Sequence, residues 1–409
     1  MKFYVKNFGP LNKGTVDEIE ITPYMVFIGS EGSGKSTLAK LLSSFEWLEK
    51  SLVKGNLNIK KIERKNYLHK FLEFHRISSY LKLDTEICYE GQYYRFKYQN
   101  ERLEITDLEI KTKQISKVIY IPAERNILSI SNGIKNIQSY PQSLRAFWEM
   151  YYEFCERLRA DFPLPIDYVN FSYDRLNKIA LVKQKSERID YKIRLTEAAS
   201  GYQSLIPLYG VSYYLYNLIN TQPESSIDNN LYIKLKSEVE RIANNEDLTE
   251  EVKSIMLKNV SLRFKYSHLV NIMEEPELNL YPASQKSEIE ALVKLNNSNP
   301  KHRLVITTHS PYVLTTFNNL LYAGMLAQNH PDEIGRIISK DIWIEKGKLS
   351  AFEIIDGQVI SIMDKKTGLI QAEMIDKISN QSIKILNHFW NMINHYKVCY
   401  EEFCTTIYR

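Results

Sequence analysis

Gly29-Ser30-Glu31-Gly32-Ser33-Gly34-Lys35-Ser36-Thr37 is the stretch that decides how this chain is read. From Gly29 through Ser36 it satisfies G-x-x-x-x-G-K-[ST], and both flanks suit the pattern. Tyr24 to Ile28 (YMVFI) is an apolar, β-prone run fit for a buried parallel strand, and Lys35 to Lys50 (KSTLAKLLSSFEWLEK) carries apolar residues at helical spacing. The order strand, glycine turn, helix is what phosphate binding requires. Glycines let successive backbone N–H groups curl toward phosphate oxygens, and a helix N-terminus adds partial positive charge. Lys35 contributes a full charge, the Ser36 hydroxyl is expected to ligate Mg²⁺, and Thr37 packs or hydrogen-bonds behind it.

A second apolar run, His268 to Met273 (HLVNIM), leads into Glu274-Glu275-Pro276-Glu277. A strand delivers consecutive carboxylates to its C-terminal edge, where α/β sheets bind ligands. Glu274 is therefore expected in the Mg²⁺ shell, and Glu275 as the general base that reaches an attacking water. Glu in place of the commoner Asp is one methylene longer, so Glu274 is expected to act through a water ligand. Pro276 has no N–H for a ladder and ends the strand. A third run, Arg303 to Ile306, precedes Thr307-Thr308-His309-Ser310, with Pro311 opening a helix. His309 is placed to hydrogen-bond a γ-phosphate oxygen or the attacking water.

Between these fragments lies Leu195-Thr196-Glu197-Ala198-Ala199-Ser200-Gly201-Tyr202-Gln203-Ser204, followed by an apolar helix. It resembles the signature motif of ATP-binding-cassette ATPases, whose usual core is Ser-Gly-Gly-Gln, with Tyr202 in place of the second glycine. The resemblance implies that Ser200, Gly201 and Gln203 cap the ATP held by the phosphate loop of a partner subunit. With all four fragments present, the chain resembles the soluble SMC, RecF and OLD group of these ATPases. Phe3 to Leu11 (FYVKNFGPL) looks like their first strand, Glu274 to Pro282 is similar to their E-E-P-E-x-H-L-H-P, and Tyr120 to Arg125 is similar to the Y-I-P-x-x-R segment of OLD-like and defence-associated members.

The resemblance implies an α/β P-loop NTPase of the ABC-ATPase head type, with a mostly parallel central sheet, an antiparallel β-lobe and helical insertions. It also implies ATP and Mg²⁺ as cofactors, a homodimer that sandwiches ATP, and Leu278 to Leu280 as a loop crossing the dimer interface. The nearest resemblance is to ATPase subunits of prokaryotic anti-phage systems of the PARIS and Septu type, which regulate a separately encoded effector such as a nuclease. A RecF-like clamp on DNA and a non-enzymatic ATP-binding scaffold are the alternatives.

The head is expected over 1–345, with a basic helical insertion at 50–80, the β-lobe at 82–125, a helical segment at 138–162 and a helical insertion at 227–260. A strand and helical tail over 346–409 offers a partner surface. Lys50 to Arg76 is rich in Lys and Arg interleaved with Tyr67, Phe71 and Phe74, and reads either as a solvated helix face or as an insertion tracking a phosphate backbone. No D-x-D occurs anywhere, which leaves a Toprim-type nuclease domain without its paired aspartates.

The 409 residues, 44% hydrophobic, suffice for a large core. Fifty-three basic against 49 acidic side chains give +4, too little to demand a nucleic-acid partner. Cys88, Cys155, Cys399 and Cys404 form no C-x-x-C pair, so reduced thiols in a cytoplasm are expected. No run of eighteen or more apolar residues suggests a membrane span, and no signal-peptide pattern opens the chain.

Overall fold

The computed structural model describes residues 1–63, 67–130, 140–166, 168–185, 190–221, 237–245, 248–249, 252–253, 256 and 265–371. The strands run β1 Lys2–Lys6, β2 Gly14–Thr15, β3 Ile19–Glu20, β4 Tyr24–Ile28, β5 Glu86–Glu90, β6 Tyr94–Gln99, β7 Arg102–Asp107 and β8 Ile115–Ile121. They continue as β9 Phe162–Pro163, β10 Val169–Asp174, β11 Ile179–Lys185, β12 Asp190–Arg194, β13 Tyr266–Glu274, β14 Arg303–Thr308, β15 Leu349–Ile355 and β16 Gln358–Ser361.

Seven of them form the central sheet in the order β2-β16-β15-β4-β14-β13-β8. The five strands from β15 to β8 are mutually parallel, with Val26 opposite Ile306 and Ile272 opposite Val305. Successive side chains of a strand face opposite sides, and β4 divides its residues between two cores accordingly. Tyr24 and Val26 enter a core built with helices Gln142–Arg157, Ser200–Thr221, Pro282–Asn297 and Pro311–Leu326. Met25 and Phe27 enter a second core under helix Lys35–Val53. Both faces are covered, which explains why these strands read as unbroken apolar runs.

The second core is closed by an antiparallel lobe, β3-β1-β5-β6-β7. β6 alternates buried and exposed residues as a one-sided sheet must. A buried polar network ties this lobe to the helix: Arg303 grips both oxygens of Glu46, Tyr89 donates to Glu46 Oε1 at 2.7 Å, and Glu49 Oε1 accepts from the Tyr93 and Tyr94 amides at 2.7 and 3.0 Å. Burial, helped by the neighbouring Glu46 carboxylate, pushes the Glu49 carboxyl up to about 7. The unfolded chain ionises this group first, near 4.5, so its contribution to stability falls as pH rises from there through 7. Glu49→Gln should flatten the melting temperature between pH 5 and 7; an unchanged slope would contradict this.

A third sheet, β12-β11-β10-β9, is antiparallel and runs through a short 3₁₀ turn, Leu195–Glu197, into helix Ser200–Thr221.

Within the expected spans the elements fall as follows. β15 pairs in parallel with β4, directly beside the phosphate loop, so the boundary at 345 cuts the central sheet and 349–361 belong to it. β8 is the edge strand of the seven-stranded sheet and not part of the lobe, whose last strand is β7. The helix expected over 138–162 spans Gln142–Arg157, because Leu158 turns extended and Phe162 enters β9. The segment 50–80 holds the end of helix Lys35–Val53 and two short helices, Ile59–Ile62 and Tyr67–Glu73. Most of 227–260 and all of 372–409, with Cys399 and Cys404, lie outside the described residues; Cys88 and Cys155 are free thiols. Among the described residues, no helix is long and apolar enough to cross a membrane.

Candidate functional site

Parallel strands place their C-terminal ends on one edge, and that edge gathers the motifs. β4 ends at Ile28 and opens the glycine loop, β14 ends at Thr308 beside His309, β13 ends at Glu274, and β8 ends at Ile121 before Pro122 to Arg125.

The loop's glycines serve distinct needs. Gly34, at φ 115°, caps helix Lys35–Val53, and a Cβ there would lie 2.7 Å from Leu11 Cδ2, so the N-terminal Gly9-Pro10-Leu11 turn braces the loop. Gly32, at φ 70°, faces open space: a Cβ would meet nothing within 4 Å. Ser33 Oγ is buried without a hydrogen-bond partner. An open mouth, an unused hydroxyl and a 19-residue helix's N-terminus form a cradle that fits a phosphate chain.

Lys35 is buried, and its ammonium donates to the Gly29 and Ser30 carbonyls, both at 2.8 Å. Burial lowers its proton affinity, while Glu275, Glu31, Glu277 and Glu274 oppose that effect. The same ammonium lies 3.5 Å from His309 Nδ1, and His309 Nε2 lies 3.3 Å from Glu275 Oε1. An ammonium only donates, so Nδ1 serves as acceptor in the tautomer that carries its proton on Nε2, the nitrogen that faces Glu275. Glu31 Oε1 approaches Nδ1 at 3.8 Å from the exposed rim of the loop.

Glu275 adopts φ 43°, left-handed for a residue with a side chain, and its N–H is anchored to Thr307 O at 2.8 Å. The turn swings its carboxylate out of the ladder and toward His309. Glu277 doubles back beneath: it is pushed up from the usual carboxylate range by burial, and accepts from Thr308 Oγ1 and the His309 amide, each at 2.7 Å.

Glu274 is buried, accepts from the Tyr120 hydroxyl and from the Ala123 amide at 3.2 Å, and has Lys40 Nζ 3.9 Å away. Each carboxylate oxygen keeps a lone pair after these bonds. With the half-buried Ser36 hydroxyl, the donors are hard oxygens of the kind Mg²⁺ accepts.

Arg125, fully buried, holds this end of the sheet together. Its guanidinium donates to the backbone oxygens of Glu274 at 2.8 Å, Glu275 at 2.7 Å and Ser204 at 3.0 Å. Glu288, Glu277, Glu275 and Glu274 offset the cost of burying its charge. The clasp therefore joins the double-glutamate turn to Ser204, near the start of helix Ser200–Thr221.

Ser200 is exposed at the start of that helix, with Gly201 half-buried behind it. A Cβ on Gly201 would lie 2.8 Å from Asn279 O, so glycine is what allows the 278–280 loop to pack here. Among the described residues, no hydrogen bond joins Ser200 to the phosphate loop of its own chain. Gln203 is buried, and its Nε2 donates to the carbonyls of Leu195, Thr196 and Ala198 at 3.0–3.3 Å. Its amide nitrogen braces the turn that leads into the helix.

Sequence reasoning gave no role to Tyr120, Glu277 or Lys40. Glu277 left a signal as the third carboxylate of the acidic run, and Tyr120 as the first residue of the Y-I-P-x-x-R resemblance. Tyr120 and Glu274 are 154 residues apart and meet only through the sheet.

No protein-family model and no curated protein matches this chain. Among solved structures, it is similar to an SMC head domain from Thermotoga maritima at 9% identity and TM-score 0.36, covering 88% of this chain and 97% of that one. An SMC head bound to the C-terminal winged-helix domain of ScpA gives 11% identity, TM-score 0.39 and 88% and 96% coverage. The ATP-binding cassette of an ABC transporter in its ADP conformation gives 11%, 0.30, and 88% and 90%. The strand order and the glycine loop themselves make this a P-loop α/β fold with a mostly parallel sheet and an antiparallel lobe.

Proposed function

We propose that this chain is an ATPase that closes as a homodimer around Mg·ATP. The observation that carries the reading is the file Lys35–His309–Glu275, which joins the phosphate loop to a carboxylate across the ends of three adjacent strands. The backbone N–H groups of Gly29 to Gly34, with Lys35, Ser36 and Thr37, bind the phosphate chain. Ser36 and Glu274 would hold Mg²⁺, which when bound offsets the charge of the β- and γ-phosphates. Glu275 takes the proton of the attacking water, and His309 fixes the direction of that carboxylate while its own position is set by Glu277. Glu277 acts through His309 and is a positioning residue.

The exposed Ser200–Gly201 helix start supports a trans arrangement. It offers a hydroxyl and free N–H groups to an anion, and among the described residues it makes no hydrogen bond to its own loop. In this reading two copies pair symmetrically, each capping the nucleotide of the other. Ser200→Arg tests it. ATP binding by the single chain should persist while ATP-dependent dimerisation, followed by light scattering, is lost; a variant that still dimerises with ATP would refute trans capping.

We further propose, on the resemblance of Tyr120 to Arg125 and of the acidic run to defence-associated ATPases, that the cycle regulates a separately encoded effector such as a nuclease in the prokaryotic cytoplasm. Co-purification of a neighbouring gene product that depends on nucleotide state is the test of that role.

A further inference from the structure

Farther along the phosphate-loop helix, a cavity of about 450 Å³ opens between that helix, Tyr67–Glu73, the start of Gln142–Arg157 and β8. Ser43, its nearest lining residue on the helix, is two turns, roughly 12 Å, beyond Lys35. The volume is that of a small-molecule pocket. We propose that this cavity binds a planar aromatic anion and that its occupancy is transmitted to Glu274 through Tyr120.

Three observations meet here. The wall is aromatic: Phe71 sits 5.4 Å from Trp47 and 5.1 Å from Tyr67, centroid to centroid, and Trp47 remains 45% exposed. Rings so placed offer faces and edges to a further ring. The charge is one-sided, since the described lining residues include Lys50 and Lys70 and no carboxylate. Lys50 also approaches the Tyr266 ring, its ammonium 5.5 Å from the centroid, where Lys54 and Lys117, outside the lining, come to 4.7 and 5.4 Å. Cations gathered beside a low-dielectric wall favour an anionic occupant.

The floor leads to the candidate active site. His75, buried with Nδ1 unpartnered, packs edge-on against Tyr120 at 4.5 Å, and the Tyr120 hydroxyl bonds Glu274. A ligand pressing on this pair is one hydrogen bond from the carboxylate assigned to Mg²⁺. The coupling rests on the ATPase reading; the binding does not.

The test titrates 8-anilinonaphthalene-1-sulfonate, an aromatic sulfonate, into the full chain. One site per chain, of equal affinity in the native protein and in Lys35→Ala, is expected. Ala146→Phe, which fills the cavity, and Lys70→Glu, which reverses an exposed charge, should each weaken it about tenfold. Saturation should change native ATP turnover about fivefold. Unchanged affinity in Lys70→Glu and in a folded Ala146→Phe overturns the site. Binding that both variants weaken, with native turnover unmoved, overturns the coupling. Intact binding to a native chain without ATP turnover sinks the ATPase reading and leaves the site standing.

Discussion

Glu275→Gln is expected to hydrolyse ATP at least ~100-fold more slowly than the native chain while still binding it, the loss typical of removing a positioned general base. The geometry confines the effect to chemistry. The residue's N–H bond to Thr307 and its carbonyl bond to Arg125 are backbone bonds that the substitution leaves in place. An amide keeps an oxygen for His309 Nε2 and loses the capacity to take a proton. Single-turnover hydrolysis with radiolabelled ATP reads the step directly, and a native rate in this variant would remove Glu275 from its assigned role.

Lys35→Ala should abolish usable nucleotide binding. Hydrogen bonds from a charged donor are worth about 1.5–3 kcal/mol each, so losing the ammonium weakens ATP by on the order of 100-fold or more. The Gly29 and Ser30 carbonyls also lose their donor, which loosens the loop that should receive the phosphates. Calorimetric titration with Mg·ATP, alongside circular dichroism to establish folding, checks this; native affinity in a folded variant would place the nucleotide elsewhere.

How much the sequence disclosed depends on how local each signal is. The glycine loop and its flanks were legible because turn, strand and helix requirements fall within a few consecutive residues, and Gly32 and Gly34 indeed take φ values of 70° and 115°. Within the β-lobe expected over 82–125, one-sided antiparallel strands show themselves by alternation, as β5, β6 and β7 do. The placement of β15 was not. LSAFEII is apolar enough for either an edge or an interior strand, and only the parallel register with β4 settles it.

The same limit governed the site. Glu275 and His309 announce themselves at strand ends, yet Tyr120 as the partner of Glu274, and Arg125 as the clasp between Glu275 and Ser204, depend on contacts between distant segments. Gln203 carries a structural task that the motif does not announce, since its amide nitrogen donates to three carbonyls of the preceding turn.

Whether two chains close around nucleotide is decided by the solution mass of Glu275→Gln with and without Mg·ATP. The chain is 48.0 kDa; that mass is expected without nucleotide, twice that mass with Mg·ATP, and reversion to the single mass when Ser200→Arg is added. A mass indifferent to Mg·ATP under conditions where ATP is bound would contradict closure as a homodimer.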